Sequence, residues 1–125
     1  MNNGAKNILV VEDERRLREL AGRFLKKAGY NVTTAGDGEE ALKLYLELNR
    51  DFHLLLTDIV MPGMSGKELA DELDKISPEL KVLFMSGYTD DIILSHGVSQ
   101  KDTHFLAKPF TSAALLETVR AVLDE

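Results

Sequence analysis

Five short apolar runs separate stretches of helical spacing, and this alternation constrains the fold of the 125-residue chain more than any other feature. The runs are NILVV (7–11), NVTTA (31–35), HLLLT (53–57), KVLFM (81–85) and HFLA (104–107). Three are nearly continuous apolar stretches, the pattern of strands covered on both faces. After the first run, Leu17, Leu20, Ala21, Phe24, Leu25 and Ala28 recur at helical spacing, and Gly29 stands where a helix C-terminus favours glycine. A second helix is expected from Asp37, carrying Ala41, Leu42, Tyr45 and Leu48. The third has a full start signal: Ser65 as cap, Glu68 three residues on to close a capping box, and Met64 to staple onto Leu69. It should stop before Pro78. A fourth is expected around residues 90–96. The last starts at Thr111, with Phe110 and Leu115 as its staple, followed by Val119, Val122 and Leu123.

Five strand–helix pairs predict a single-domain α/β protein, a doubly wound (βα)5 sandwich of flavodoxin-like type with a parallel sheet. Right-handed crossovers allow few strand orders, and 2-1-3-4-5 is the common one. Residues 1–5 read as a short disordered lead and 6–125 as one domain. The 21 acidic and 15 basic residues leave a net charge of -6, which argues against direct nucleic-acid binding. The absence of Cys excludes a disulfide framework and a Cys-based zinc site. No apolar stretch approaches a membrane span, and the start MNNGAKN lacks the apolar core of a signal peptide, so a cytoplasmic location is expected.

In such sheets ligands sit outside the carboxyl ends of the strands, at the switch point between strands 1 and 3. Strand 1 is followed by Glu12, Asp13 and Glu14, and strand 3 by Asp58. Ser86 and Gly87 follow strand 4, and Lys108 and Pro109 follow strand 5. Strand 2 runs into Gly36 and Asp37, outside the cluster. Crowded carboxylates are costly to keep ionised in a partly desolvated cleft, and a cation relieves that cost. Lys108 supplies one positive charge. A hard divalent metal bound through oxygens would supply more, and Mg2+ suits a site of few carboxylates that keeps its water. Mg2+, an aspartate, a lysine and a small hydroxyl are together what phosphoryl transfer to a carboxylate nucleophile requires.

The stretches ILVVEDE (8–14), LLLTDIVMPGMSG (55–66), VLFMSGYTD (82–90) and FLAKPF (105–110) together resemble a two-component response regulator receiver domain of the CheY-like family. The resemblance spans about residues 6–124, and four motifs in order at strand ends are far more specific than any one of them. It implies that Asp58 is the phosphoacceptor, that Asp13 ligates Mg2+ directly, and that Glu12 acts through water. It makes the Val60 backbone carbonyl a third protein ligand, Ser86 the switch hydroxyl and Lys108 the phosphate-binding lysine. Mn2+ can substitute for Mg2+ in such a site. A cis Lys108–Pro109 bond is implied, as is a turn through Pro62, Gly63 and Gly66. Phe105 takes the aromatic switch position where Tyr is common, so it lacks a hydroxyl for a buried hydrogen bond. Val60 and Tyr88 flank the route to the phosphate and cannot readily orient a water, which implies slow self-dephosphorylation. The stretch 86–110 is more similar to receivers of hybrid sensor histidine kinases than to those of DNA-binding regulators.

The implied partner is a histidine kinase or a histidine phosphotransfer domain, with the receiver a monomer or a weak homodimer. The implied role is a signalling domain that catalyses its own Mg2+-dependent phosphorylation, not a turnover enzyme, although a longer parent chain could be a histidine kinase. The added charge would draw in Ser86, repack Phe105 and alter the surface of the fourth helix, fifth strand and fifth helix. Other readings stay open at this level. The same fold could hold a flavin, but EDERR stands where a glycine-rich phosphate loop would be needed. A Mg2+-dependent phosphatase would want a second acid where Val60 stands. A degenerate receiver could act only as an interaction module, without phosphorylation. Taken singly, Asp58 suits a turn, Glu12 and Asp13 a helix start, Ser86 a glycine turn, and Lys108 a surface position. His53, His96 and His104 have no metal-ligand spacing, and Met61, Met64 and Met85 read as packing.

Overall fold

The computed structural model describes residues 5–48, 51–87 and 104–125. The expected helix around 90–96, Tyr88, His96 and most of the N-terminal lead lie outside the described residues. The elements run β1 (Asn7–Val11), α1 (Arg15–Lys27), β2 (Asn31–Ala35), α2 (Gly38–Glu47), β3 (Leu54–Asp58), α3 (Gly66–Ile76), β4 (Lys81–Ser86), β5 (His104–Ala107) and α4 (Ser112–Leu123). The five strands form one sheet in the order β2-β1-β3-β4-β5, and every neighbouring pair is parallel. The doubly wound architecture and its strand order are as the sequence predicts.

Period-two alternation in the strands builds two cores. Leu9, Val11, Leu55 and Phe84 point to one face and pack with Ala41 and Tyr45 of α2 and Leu69 and Leu73 of α3. Ile8, Val10, Leu54, Leu56, Leu83 and Met85 point to the other, against Ala21 and Leu25 of α1 and Leu115, Val119 and Val122 of α4. A strand buried on both faces has no polar side, which is why β3 reads as LLLTD with every residue buried.

Local signals set the helix ends. Asp37 caps α2 by accepting the Glu40 N–H, and Thr111 caps α4 by accepting that of Ala114. Ser65 and Glu68 form the expected reciprocal box at the start of α3. Gly29, at φ 101°, takes the left-handed conformation just beyond α1. β3 begins and ends one residue later than its apolar run, and β4 extends one residue further. The ladder continues to the Asp58↔Met85 pair, so Asp58 and Ser86 are the last residues of their strands rather than loop residues. His53, just before β3, uses Nδ1 to accept the Asn7 N–H at 2.9 Å. His104 pairs with Glu125 at 2.9 Å. Both histidines lie at the opposite end of the sheet from the strand termini described next.

Candidate functional site

Four strands deliver the site at their carboxyl ends. Glu12 follows β1 and is 1% exposed, and Asp58 ends β3 at 3%. Lys108 follows β5 and reaches both carboxylates, with Nζ 2.8 Å from Glu12 Oε1 and paired with Asp58 Oδ1. The Lys108–Pro109 peptide is cis, and the Lys108 N–H donates to the Ser86 carbonyl at 3.0 Å, which ties the lysine to the end of β4. Ser86 itself is buried. Asp13 is exposed beside Glu12.

Glu12 is gripped through four groups. Its N–H donates to the Ala35 carbonyl at 3.1 Å, and its carbonyl accepts from Arg18 Nη1 at 2.7 Å. Its Oε2 accepts the Glu14 N–H at 2.9 Å, and its Oε1 faces the lysine. Asp58 is held less completely. Its Oδ1 contacts the ammonium without an aligned hydrogen bond, and its buried Oδ2 has no hydrogen-bond partner among the described residues.

The electrostatics follow from this crowding. Burial, then the neighbouring Glu12, push the Asp58 carboxyl up to about 8, while Lys108 pulls the other way. Burial also acts to raise Glu12, but Asp58, Lys108 and the Glu14 N–H outweigh it and leave Glu12 below the usual carboxylate range. Burial opposes the charge on Lys108, yet Asp58 and Glu12 raise it above an ordinary lysine.

The residues present fit a divalent cation. One carboxylate oxygen from each of Glu12, Asp13 and Asp58 lies within 4.8 Å of the others. When all three acids are ionised, the one ammonium leaves two negative charges uncompensated. An orphaned buried oxygen on Asp58 is the kind of atom that a hard cation satisfies.

The β3–α3 turn is built around this acid. The Gly66 N–H donates to the Ile59 carbonyl at 2.8 Å, and a Cβ on Gly66 would fall on the Asp58 carbonyl oxygen. Gly63 carries φ 76° within the turn. Val60 is half-buried two residues beyond Asp58. Phe105 is half-buried on β5, its ring centroid 6.2 Å from that of Phe84. The structure thus brings together Glu12, Asp13, Asp58, Ser86 and Lys108. Arg18 is the member of this surrounding that sequence reading passed over, since in sequence it is one polar residue on a basic helix.

A family model for the response regulator receiver domain matches residues 8–120. The chain belongs to that family. The receiver is 37% identical over 123 residues to the sensor kinase CckA of Brucella abortus, covering 98% of this chain and 13% of the kinase. It is also 37% identical over 118 residues to the receiver protein CpdR of the same organism, covering 94% of this chain and 97% of CpdR. Among solved structures, the receiver domain of the hybrid histidine kinase CckA aligns with TM-score 0.79 and 36% identity over 94% of this chain and 98% of that one. The Vibrio cholerae chemotaxis protein CheY4 aligns with TM-score 0.83 and 30% identity over 95% and 99%. The expected likeness to hybrid-kinase receivers is therefore found, beside an equal likeness to a relative that is little more than a receiver. The chain is a receiver of two-component systems, a signalling module whose family implies a kinase or phosphotransfer partner. Among the described residues no helix is long and apolar enough to cross a membrane.

Proposed function

We propose that this receiver accepts a phosphoryl group from a phosphohistidine onto Asp58, and that residues 6–125 act as one such unit on the cytoplasmic side. The observation that carries this reading is the buried Asp58 carboxylate, which has an orphaned oxygen and faces Lys108 and Glu12. A nucleophilic Asp58 must be ionised, and burial works against that. Lys108 restores part of the missing positive charge. Glu12, Asp13 and Asp58 would hold Mg2+, with Mn2+ able to replace it, and the Val60 carbonyl would add a further oxygen. Bound there, the cation supplies the positive charge that the transferring phosphoryl oxygens require.

In the transfer, an Asp58 oxygen forms a bond to phosphorus as the phosphorus–nitrogen bond of the donor breaks. The imidazole leaves with the electron pair and takes a proton from solvent. Lys108 then neutralises one phosphoryl oxygen, and Ser86, at the end of the neighbouring strand, donates its hydroxyl to another. Inward movement of Ser86 relieves the space beside Phe105, whose repacking carries the change to the β5–α4 face. Neither Val60 nor Tyr88 readily orients an attacking water, so the aspartyl phosphate should persist for minutes or longer.

The test is intact mass after incubation with Mg2+ and acetyl phosphate, with Asp58→Asn as control. One added phosphoryl group, lost in base and absent from the variant and from metal-free samples, is the expected result. An unmodified wild-type protein with Mg2+ binding verified would favour the second reading, an interaction module that works without phosphorylation.

A further inference from the structure

Arg18 lies on α1, and nothing in the acceptor chemistry uses it. Its Nη1 donates to the Glu12 carbonyl at 2.7 Å, and a charged donor makes this a strong bond. The same guanidinium covers Gly36, where a Cβ would meet Nη1 at 3.2 Å and Glu40 Oε1 at 3.7 Å. The Gly36 N–H donates to Glu40 Oε1 at 2.6 Å, and the Glu12 N–H donates to the carbonyl of Ala35 at 3.1 Å. Arg18 therefore bonds the turn after β1 and lies over the turn after β2, which Glu40 of α2 holds through the Gly36 N–H.

The carbonyl that Arg18 grips belongs to the peptide joining Glu12 to Asp13. The Glu12 carboxylate has its own restraints in the Glu14 N–H and Lys108. The Asp13 carboxylate is exposed, and no hydrogen bond or ion pair is seen to hold it among the described residues. The peptide before it is then what aims it at the oxygens of Glu12 and Asp58, within 4.8 Å. We infer that Arg18 is a positioning residue for a divalent cation: by holding the Glu12 carbonyl, it keeps the Glu12 and Asp13 carboxylates in register with Asp58. This rests on the function proposed above.

Charge alone predicts the opposite effect. A guanidinium near a cation site repels the cation, so its removal would tighten binding. Positioning predicts that removal weakens binding, and the sign separates the two. The experiment is a Mg2+ titration by calorimetry on wild type, Arg18→Met, Gly36→Ala and Arg15→Met. A parallel acetyl phosphate reaction is run across Mg2+ concentrations. Arg15 serves as the charge control, because it is an exposed residue of the same helix paired with Glu19 at 3.0 Å.

Arg18→Met should weaken Mg2+ binding about tenfold and raise the Mg2+ needed for half-maximal phosphorylation to match, with the plateau rate recovered at high Mg2+. Gly36→Ala, whose methyl would press on the guanidinium from 3.2 Å, should shift in the same direction, and Arg15→Met should not shift towards weaker binding. Binding by Arg18→Met as tight as wild type or tighter overturns the inference, as does a plateau rate that falls in step with affinity. If Arg18→Met does not fold, an unchanged affinity in Gly36→Ala overturns it instead. A wild type that binds no Mg2+ overturns the proposed function and this inference with it, whereas a wild type that binds like both variants overturns this inference alone.

Discussion

Asp58→Asn should make the metal-free protein more stable, and by an amount that grows with pH. The folded-state value of about 8 lies above the 3.8 of an ordinary aspartate. The native protein therefore holds this proton more tightly than the unfolded chain does. The stability from this group is complete below about pH 4 and is lost as pH rises through about 8. A single carboxyl shifted this far costs about 4 kcal/mol at pH 7, and under about half of that at pH 5. The favourable shifts of Glu12 and Lys108 return part of it, because both pair with the Asp58 charge. Their own titrations fall outside this window: Glu12 loses its contribution below about pH 4, and Lys108 only above its ordinary alkaline range. A net gain of about 1–3 kcal/mol for the variant at pH 8 is expected, or roughly 5–10 °C in melting temperature for a chain of this size. The amide suits the test because, like a protonated carboxyl, it is neutral and can donate to Glu12. Urea and thermal unfolding of both proteins in chelator, at pH 5 and pH 8, measure the difference. Added Mg2+ should then stabilise the wild type by about 3 kcal/mol at a hundredfold excess over its dissociation constant, and the variant by less. Equal stabilities at pH 8, or parallel pH profiles for the two proteins, would refute the electrostatic reasoning.

Three further outcomes can be checked with the same equipment. The Tyr45 hydroxyl is fully buried and has no hydrogen-bond partner among the described residues, so Tyr45→Phe should keep the ring stack on Phe52 and gain about 1 kcal/mol in urea unfolding; a clear loss would mean that the hydroxyl has a bound partner such as water. Gly66→Ala forces a methyl onto the Asp58 carbonyl, with backbone on both sides, and should cost about 3 kcal/mol and reduce phosphorylation. Val60→Gln, which brings an amide able to hold a water beside the acceptor, should shorten the aspartyl phosphate lifetime measured by loss of the added mass, and an unchanged lifetime would remove Val60 from the access route.

The sheet was legible because apolar runs of four or five residues, too short for helices, alternate with longer stretches of helical spacing, and caps such as Ser65 and Asp37 mark helix starts with side chains. Glu12, Asp58 and Lys108 were legible because each is a charge at the end of such a run, and charges there need a common explanation. Strand ends were less so. The backbone ladder carries β3 on through Asp58 and β4 through Ser86, and backbone pairing leaves no mark in residue type. Arg18 was invisible for a related reason: its partner is a carbonyl across a turn, and any residue supplies a carbonyl. The orphaned hydroxyl of Tyr45 was hidden too, since a tyrosine on an apolar helix stripe looks the same with or without a partner.

Glu12 and Asp13, Asp58, Ser86 and Lys108 stand at the ends of four different strands, and Lys108 is made last of them. A chain still emerging from the ribosome carries Asp58 long before it carries the counter-charge that lets a carboxylate stay ionised out of water. On the function proposed above, competence for phosphoryl transfer would then wait until β5 pairs with β4 and brings Lys108 to Asp58. A donor meeting the chain before that would find an aspartate without its lysine.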